Sequence, residues 1–236
     1  MLTRAAIRSA ADTFWAAAGG RSGYGSPVRI DIAVMRSLPL AIYRIPGLTT
    51  RHVDSMLASA GASLSLRGAP RSLRGCLVAD VGVGLILVDG DDPEDEQRLT
   101  VSHETAHFLL HYLALRAAAL TGLGRPVVAV LDRTRAPTQA ELFSAALRDL
   151  PLAPFQHAMV RGAARPRGQV ATMEAEADDL AIELLAPWHL VRALEPPDAE
   201  SIASRFGLPS TVAARLAAMA VGSTTEMGVA SLFGIR

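Results

Sequence analysis

Three histidines and a glutamate stand close together in the stretch LTVSHETAHFLLHYL: His103, Glu104, His107 and His111. On an α-helix, residues four apart share a face and lie about 6 Å apart along the axis. His103 and His107 can therefore turn two imidazoles toward one ion, while Glu104 reaches a water bound to that ion. This H-E-x-x-H arrangement suits zinc. Zinc lowers the pKa of a bound water to about 7, and a neighbouring carboxylate can take the proton. The hydroxide so formed would attack a carbonyl polarised by the metal. The plainer alternative is a solvated histidine pair. It fits poorly, because the pair lies in an apolar helix that follows a strand-like run.

His111 is not expected to complete the site. It is eight residues from His103, about 12 Å along a straight helix, whereas Zn–N bonds are about 2.0–2.1 Å. A packing or outer-shell role suits it better. The longer pattern that places a third histidine six residues after His107 also fails, because Leu110 and Leu113 occupy its glycine and histidine positions. The third ligand must come from elsewhere, and ATMEAEADDLAIELLAP offers carboxylates on a helix. There Ala177, Leu180, Ala181, Leu184 and Leu185 define an apolar inner face at about 100° per residue. Glu174 lies at the edge of that face, whereas Glu176 points away beside Asp179 and Glu183, which read as a solvated acidic face. Asp178, one turn beyond Glu174, is placed to accept a hydrogen bond from a ligand histidine.

These residues need a framework. MLTRAAIRSAADTFWAAAGG reads as an amphipathic helix ended by Gly19–Gly20; Arg8 and Asp12 break the apolar core that a signal peptide would need. Thr49 or Thr50 can start a helix that Gly61 ends. GCLVADVGVGLILVDGDD suggests two strands joined near residues 80–82. A long helix should follow, capped by Asp92, with Pro93 in its first turn, and run through the histidines to about Leu120. Glu94, Asp95 and Glu96 favour its positive end, which explains that acidic cluster without a second metal. A proline- and arginine-rich segment comes next, with a helix near residues 138–147, then the helix at about 170–185, stopped by Pro187. Last are two short helices around a Gly-Leu-Pro-Ser turn and a weak tail.

The chain has 236 residues, half of them apolar, and a formal net charge of zero. It can build a sizeable core, and nothing in its overall charge favours nucleic acid. Every basic residue other than histidine is arginine, which reads as genome composition bias. The single cysteine, Cys76, sits in an apolar run as a buried thiol, and its solitude fits a reducing cytoplasm. No apolar run is long enough for a membrane span.

Three blocks of this sequence resemble the ImmA/IrrE family of bacterial zinc metallo-endopeptidases. They are the strand, VDG and RLTVSHETAHFLLHYL; EAEADDLAIELLAP; and the weaker IASRFGLPSTVAARL. Together they cover roughly residues 80–115 and 170–217. The resemblance implies an α+β fold: a mainly helical, zincin-like core with a small antiparallel sheet packed on the H-E-x-x-H helix. Residues 1–190 would form that metallopeptidase domain and residues 191–236 a C-terminal helix-turn-helix-like segment. The ligands carry over as His103, His107 and Glu174 around Zn²⁺, with Glu104 as the catalytic base. Known members cleave helix-turn-helix repressors, so the implied substrate is a repressor-like protein.

One departure is a long insert, about residues 121–169, which carries His157 and Arg161 in QHAMVRG. Either could stabilise an oxyanion, with Tyr112 a weaker candidate. A substrate strand could pair with residues 83–88 if that strand is the sheet edge. Two other functions compete. A DNA-binding regulator would use residues 201–219, but residues 194–236 hold three arginines against four acids, so phosphate-binding charge is missing. A zinc-bound but proteolytically silent partner of the toxin–antitoxin kind is the other.

Overall fold

The structure, a computed structural model, describes residues 1–61, 66, 68–162 and 167–221. The C-terminal tail and residues 163–166 of the insert lie outside the described residues. Along the chain come α1 (Arg4–Ala17), α2 (Ile30–Ser37), β1 (Leu40–Ile45), α3 (Thr50–Ser59), β2 (Leu73–Asp80), β3 (Val83–Asp89) and α4 (Glu94–His107). A π-helical stretch (Phe108–Leu113) continues α4 into α5 (Ala114–Leu123). Then follow α6 (Val128–Leu131), α7 (Gln139–Leu147), β4 (Phe155–Val160), α8 (Gln169–Leu185), α9 (Trp188–Val191), α10 (Ala199–Phe206) and α11 (Ser210–Val221). The fold is α+β.

The sheet order is β1-β3-β2-β4. The sheet is mixed, not antiparallel as the resemblance implied, because β1 runs parallel to β3. The reason lies in the connections. Chain leaving β1 crosses one face as α3 before entering β2, and the tight β2–β3 hairpin then reverses direction, so β3 returns alongside β1. The hairpin turn is Val81–Gly82, both with positive φ, the geometry that matches strand twist. A second expectation also changes. β3 is flanked on both sides, so it offers no edge; the sheet's edges are β1 and β4.

Alternation along β2 and β3 covers both faces of the sheet. Cys76, Val78 and Leu87 face Val53 and Leu57 of α3. Leu77, Ala79, Ile86 and Val88 face the larger core, which includes Val101, Ala106 and Phe108 from the histidine helix. Two glycines let that helix sit close to the sheet. A Cβ at Gly75 would collide with Thr100 Cγ2 and lie 3.4 Å from Glu104 Oε1, and one at Gly84 would meet Phe108 at 3.0 Å.

α8 lies against α4, and Ser102 Oγ donates to Ala181 O at 2.9 Å across their contact. Ala177, Leu180, Ala181, Leu184 and Leu185 are all buried, the inner face that periodicity predicts. The C-terminal pair contributes Ile202, Phe206, Val212 and Leu216 to the same core, and Arg98 of α4 donates to Gly207 O at 2.8 Å. No helix among the described residues is long and apolar enough to cross a membrane.

The start of α4 departs from its expected cap. Pro93 holds the N-cap position with no side-chain bond, and Asp92 instead accepts from Arg161 at 2.6 Å. The acidic first turn, Glu94 to Glu96, is present. Gly75→Ala should destabilise the metal-free protein by about 1–3 kcal/mol through overpacking against Thr100. Gly23→Ala, where nothing lies within 4 Å, should be within about 0.5 kcal/mol of neutral. Thermal and urea unfolding in chelator compares the two, and equal effects would refute the close approach.

Candidate metal centre

Four side chains from three elements converge on one point. His103 and His107 come from successive turns of α4, Glu174 from α8 and His157 from β4; one donor atom of each lies within 4.8 Å of the others. His103 Nε2 and His107 Nε2 are 3.0 Å apart. Glu174 Oε2 is 3.4 Å from His103 Nε2, and Glu174 Oε1 is 3.7 Å from His107 Nε2 and 3.0 Å from His157 Nε2. A tetrahedral ion with bonds of about 2.0–2.1 Å holds its donors about 3.3 Å apart. The spacing therefore fits a single metal ion, and the set of imidazoles and a carboxylate is one that zinc and its neighbours accept. His103, Glu104 and His107 are 2%, 0% and 1% exposed, so the point is dry on the helix side.

Each histidine of the group is held from behind. Asp178 Oδ1 lies 2.8 Å from His103 Nδ1, a short contact, bent away from ideal hydrogen-bond geometry. His107 Nδ1 lies 2.9 Å from His111 Nδ1. His157 Nδ1 faces Glu104, 2.9 Å from Oε2 and 3.1 Å from Oε1.

The electrostatics follow from crowding charge in a largely dry pocket. Burial opposes the charged form of His103, but Asp178 and Glu174 override it and push its pKa up to about 10. Burial likewise opposes charge on His157, yet Glu104 and Glu174 carry it up to about 9. His107 goes the other way. Burial outweighs the pull of Glu174 and, with charge on His103 and His157, drives it down to about 2. Burial alone would raise Glu174, but the three imidazoles hold it far below the usual carboxylate range. Without metal, protons on His103 and His157 supply the positive charge that Glu174 requires. A bound cation would replace the proton on any imidazole it takes as a ligand, so binding should release protons.

Several residues fall differently from the sequence reading. His157, weighed there only as an oxyanion donor, joins the group that could hold a metal ion. No alternation in FQHAMV announced its strand, and all six residues of β4 are only half-buried. Arg161 is engaged elsewhere, with Asp89 at 2.9 Å and Asp92 at 2.6 Å. Tyr112 Oη accepts the Gly82 N–H at 2.6 Å and so steadies the β2–β3 hairpin. Glu176 is not on a solvated face: it accepts the Leu2 N–H at 2.7 Å and faces His111 at 3.4 Å. Asp179 and Glu183 are also half-buried rather than solvated, and burial pushes Asp179 up to about 6. His111 stays outside the ligand group. Cys76 is buried on the α3 side of the sheet, where burial pushes its thiol far up, so it serves packing.

No protein-family model matches the chain, and neither a curated protein nor a solved structure matches it.

Equilibrium dialysis should find one divalent transition-metal ion per chain, released on acidification as protons compete for the imidazoles. Glu174→Gln should weaken binding by more than the roughly 10–100-fold typical of losing an outer-shell partner. Asp179→Asn should leave it unchanged. Metal binding that is indifferent to Glu174 would exclude it as a ligand.

Proposed function

We propose that the chain is a zinc-dependent endopeptidase that acts on an extended segment of a protein substrate. The observation that carries this reading is Glu104. It is a wholly buried carboxylate, adjacent in the chain to one candidate ligand and turned toward another, His157. A buried carboxylate in that place is what a hydrolytic metal centre needs as a base.

His103, His107 and Glu174 would hold the zinc. Bound there, zinc supplies Lewis acidity: it lowers the pKa of a water and polarises a carbonyl. Glu104 takes the proton from the attacking water and returns it to the leaving amine. His157 plays two parts on this reading. Its Nδ1–H steadies the Glu104 carboxylate, and its Nε2–H, 3.0 Å from Glu174 Oε1 without metal, would donate to the oxyanion that develops on the substrate carbonyl once that carboxylate binds zinc. That requires an imidazolium, which the two flanking carboxylates favour.

The substrate would run along the edge of β4, which among the described residues pairs only with β2. Its main chain would bond to that edge by strand addition. This replaces the strand at residues 83–88, which is interior. A cavity of about 400 Å³ opens beyond Phe155, bordered by Leu131, Leu150, Leu152 and Met173, with room for an apolar substrate side chain. The resemblance to the ImmA/IrrE family favours a helix-turn-helix repressor or a related regulatory protein as the substrate, and a cytoplasmic setting.

A second reading is favoured by one observation: His157 lies within the ligand group. With His157 neutral and bound, the centre would have four protein ligands and no open position, as structural zinc sites do. The protein would then be a zinc-bound regulatory partner without proteolysis.

Incubation with a proteome-derived peptide library, read by mass spectrometry, tests the first reading. Glu104→Gln should retain zinc and lose cleavage by about 10²–10⁴-fold. Wild-type-like cleavage by that variant would sink the mechanism. His157→Ala separates the two readings. The peptidase keeps its zinc and loses mainly kcat, whereas the closed centre loses zinc affinity and changes the absorption spectrum of its cobalt form.

A further inference from the structure

The sequence reading assigned His111 a packing or outer-shell role and Glu176 none at the site, and both are drawn in behind the metal centre. His111 Nδ1 is 2.9 Å from His107 Nδ1. On its far side, His111 Nε2 is 3.4 Å from Glu176 Oε2. Glu176 is itself anchored through Oε1, which accepts the Leu2 N–H at 2.7 Å. His111 is 7% exposed, so water does not readily replace either contact.

Hydrogen-bond logic leaves few arrangements. Two ring nitrogens 2.9 Å apart must share one proton, because two protons repel and two lone pairs gain nothing. For His107 to offer Nε2 to a metal, that nitrogen must be bare, so the His107 proton sits on Nδ1. His107 Nδ1–H then donates to His111 Nδ1. A neutral His111 carries its own proton on Nε2, which faces the Glu176 carboxylate. The opposite tautomer of His107 would aim a proton into the ligand cluster and block it.

We infer that Glu176 and His111 form a relay behind His107, fixing the tautomer in which His107 Nε2 faces the metal and making that nitrogen a stronger ligand. His111 and Glu176 are thus positioning residues. They do for His107, in two steps, what Asp178 does for His103 in one. α8 then supplies one ligand, Glu174, and the carboxylates behind both ligand histidines. The α4–π junction supplies the intermediate: the π-helical stretch begins directly after His107 and carries His111. π-Helical turns cluster at functional sites.

The inference rests on the metal-centre part of the proposed function, and its test does not require proteolysis. Zinc affinity is measured by competition with a chromogenic chelator, and cobalt-loaded protein gives the absorption spectrum of the centre. His111→Leu keeps an apolar bulk of similar size but removes both nitrogens. It should weaken zinc binding at least tenfold, within the range typical of outer-shell partners, and shift the cobalt bands. His111→Asn restores an acceptor near the Nδ1 position and should recover most of the affinity. Glu176→Gln keeps an acceptor without the charge and should fall between them.

If His111→Leu binds zinc within twofold of wild type with an unchanged cobalt spectrum, His111 is packing and the relay is wrong. A His111→Asn variant no better than His111→Leu would also overturn it. Should His111→Leu fail to fold, the ranking of His111→Asn and Glu176→Gln against wild type decides the same question. Wild-type protein that binds no zinc would instead overturn the metal-centre reading beneath the relay.

Discussion

Three carboxylates and three imidazoles share one largely dry pocket between α4, α8 and β4, and such a cluster survives only if every charge has a partner. An uncompensated buried charge costs several kcal/mol even after relaxation. Here Glu174 sits among His103, His107 and His157, Asp178 lies against His103, and Glu104 faces His157. The mutual dependence explains why His103 and His157 are pushed toward the protonated form and His107 toward the neutral one. A divalent cation satisfies the same carboxylates with fewer protons. The pocket is therefore poised for metal by the charges it already has to balance.

The rest of the fold can be read as the means of bringing those groups together. The sheet is covered on both faces, by α3 on one and α4 on the other, so it gives the histidine helix a rigid floor. Gly75 and Gly84 let that helix approach closely, which is what removes Glu104 from solvent. α8 is pinned to α4 by small inner-face residues and the Ser102–Ala181 hydrogen bond. That docking sets the height at which Glu174 meets the two histidines. β4 closes the pocket from the sheet edge.

How much could be read in advance differs residue by residue. The pairing of His103 with His107 follows from helix spacing and needs no tertiary information. Glu174 and Asp178 follow from periodicity, because a helix with an apolar face of Ala177, Leu180, Ala181, Leu184 and Leu185 can dock only one way round. Glu176 was misread for the same reason. Periodicity places it off the inner face, but not what packs there, and that turned out to be His111 and the N-terminal residues rather than water. The sheet's mixed topology was hidden because β1 and β3 pair across about forty residues of intervening chain, and local pattern carries no record of such pairing.

The sequence by itself determined most of the helices, the two central strands and the pairing of His103 with His107 beside Glu104, since each depends on spacing along one element. Only the tertiary structure decided which strand forms the edge beside the site and that His157 joins the group that could hold a metal ion. It also placed Arg161 and Tyr112 in scaffold contacts and His111 against His107. Those facts depend on the distance between elements far apart in the chain. That distance is set by how closely their side chains pack, and no local periodicity encodes it.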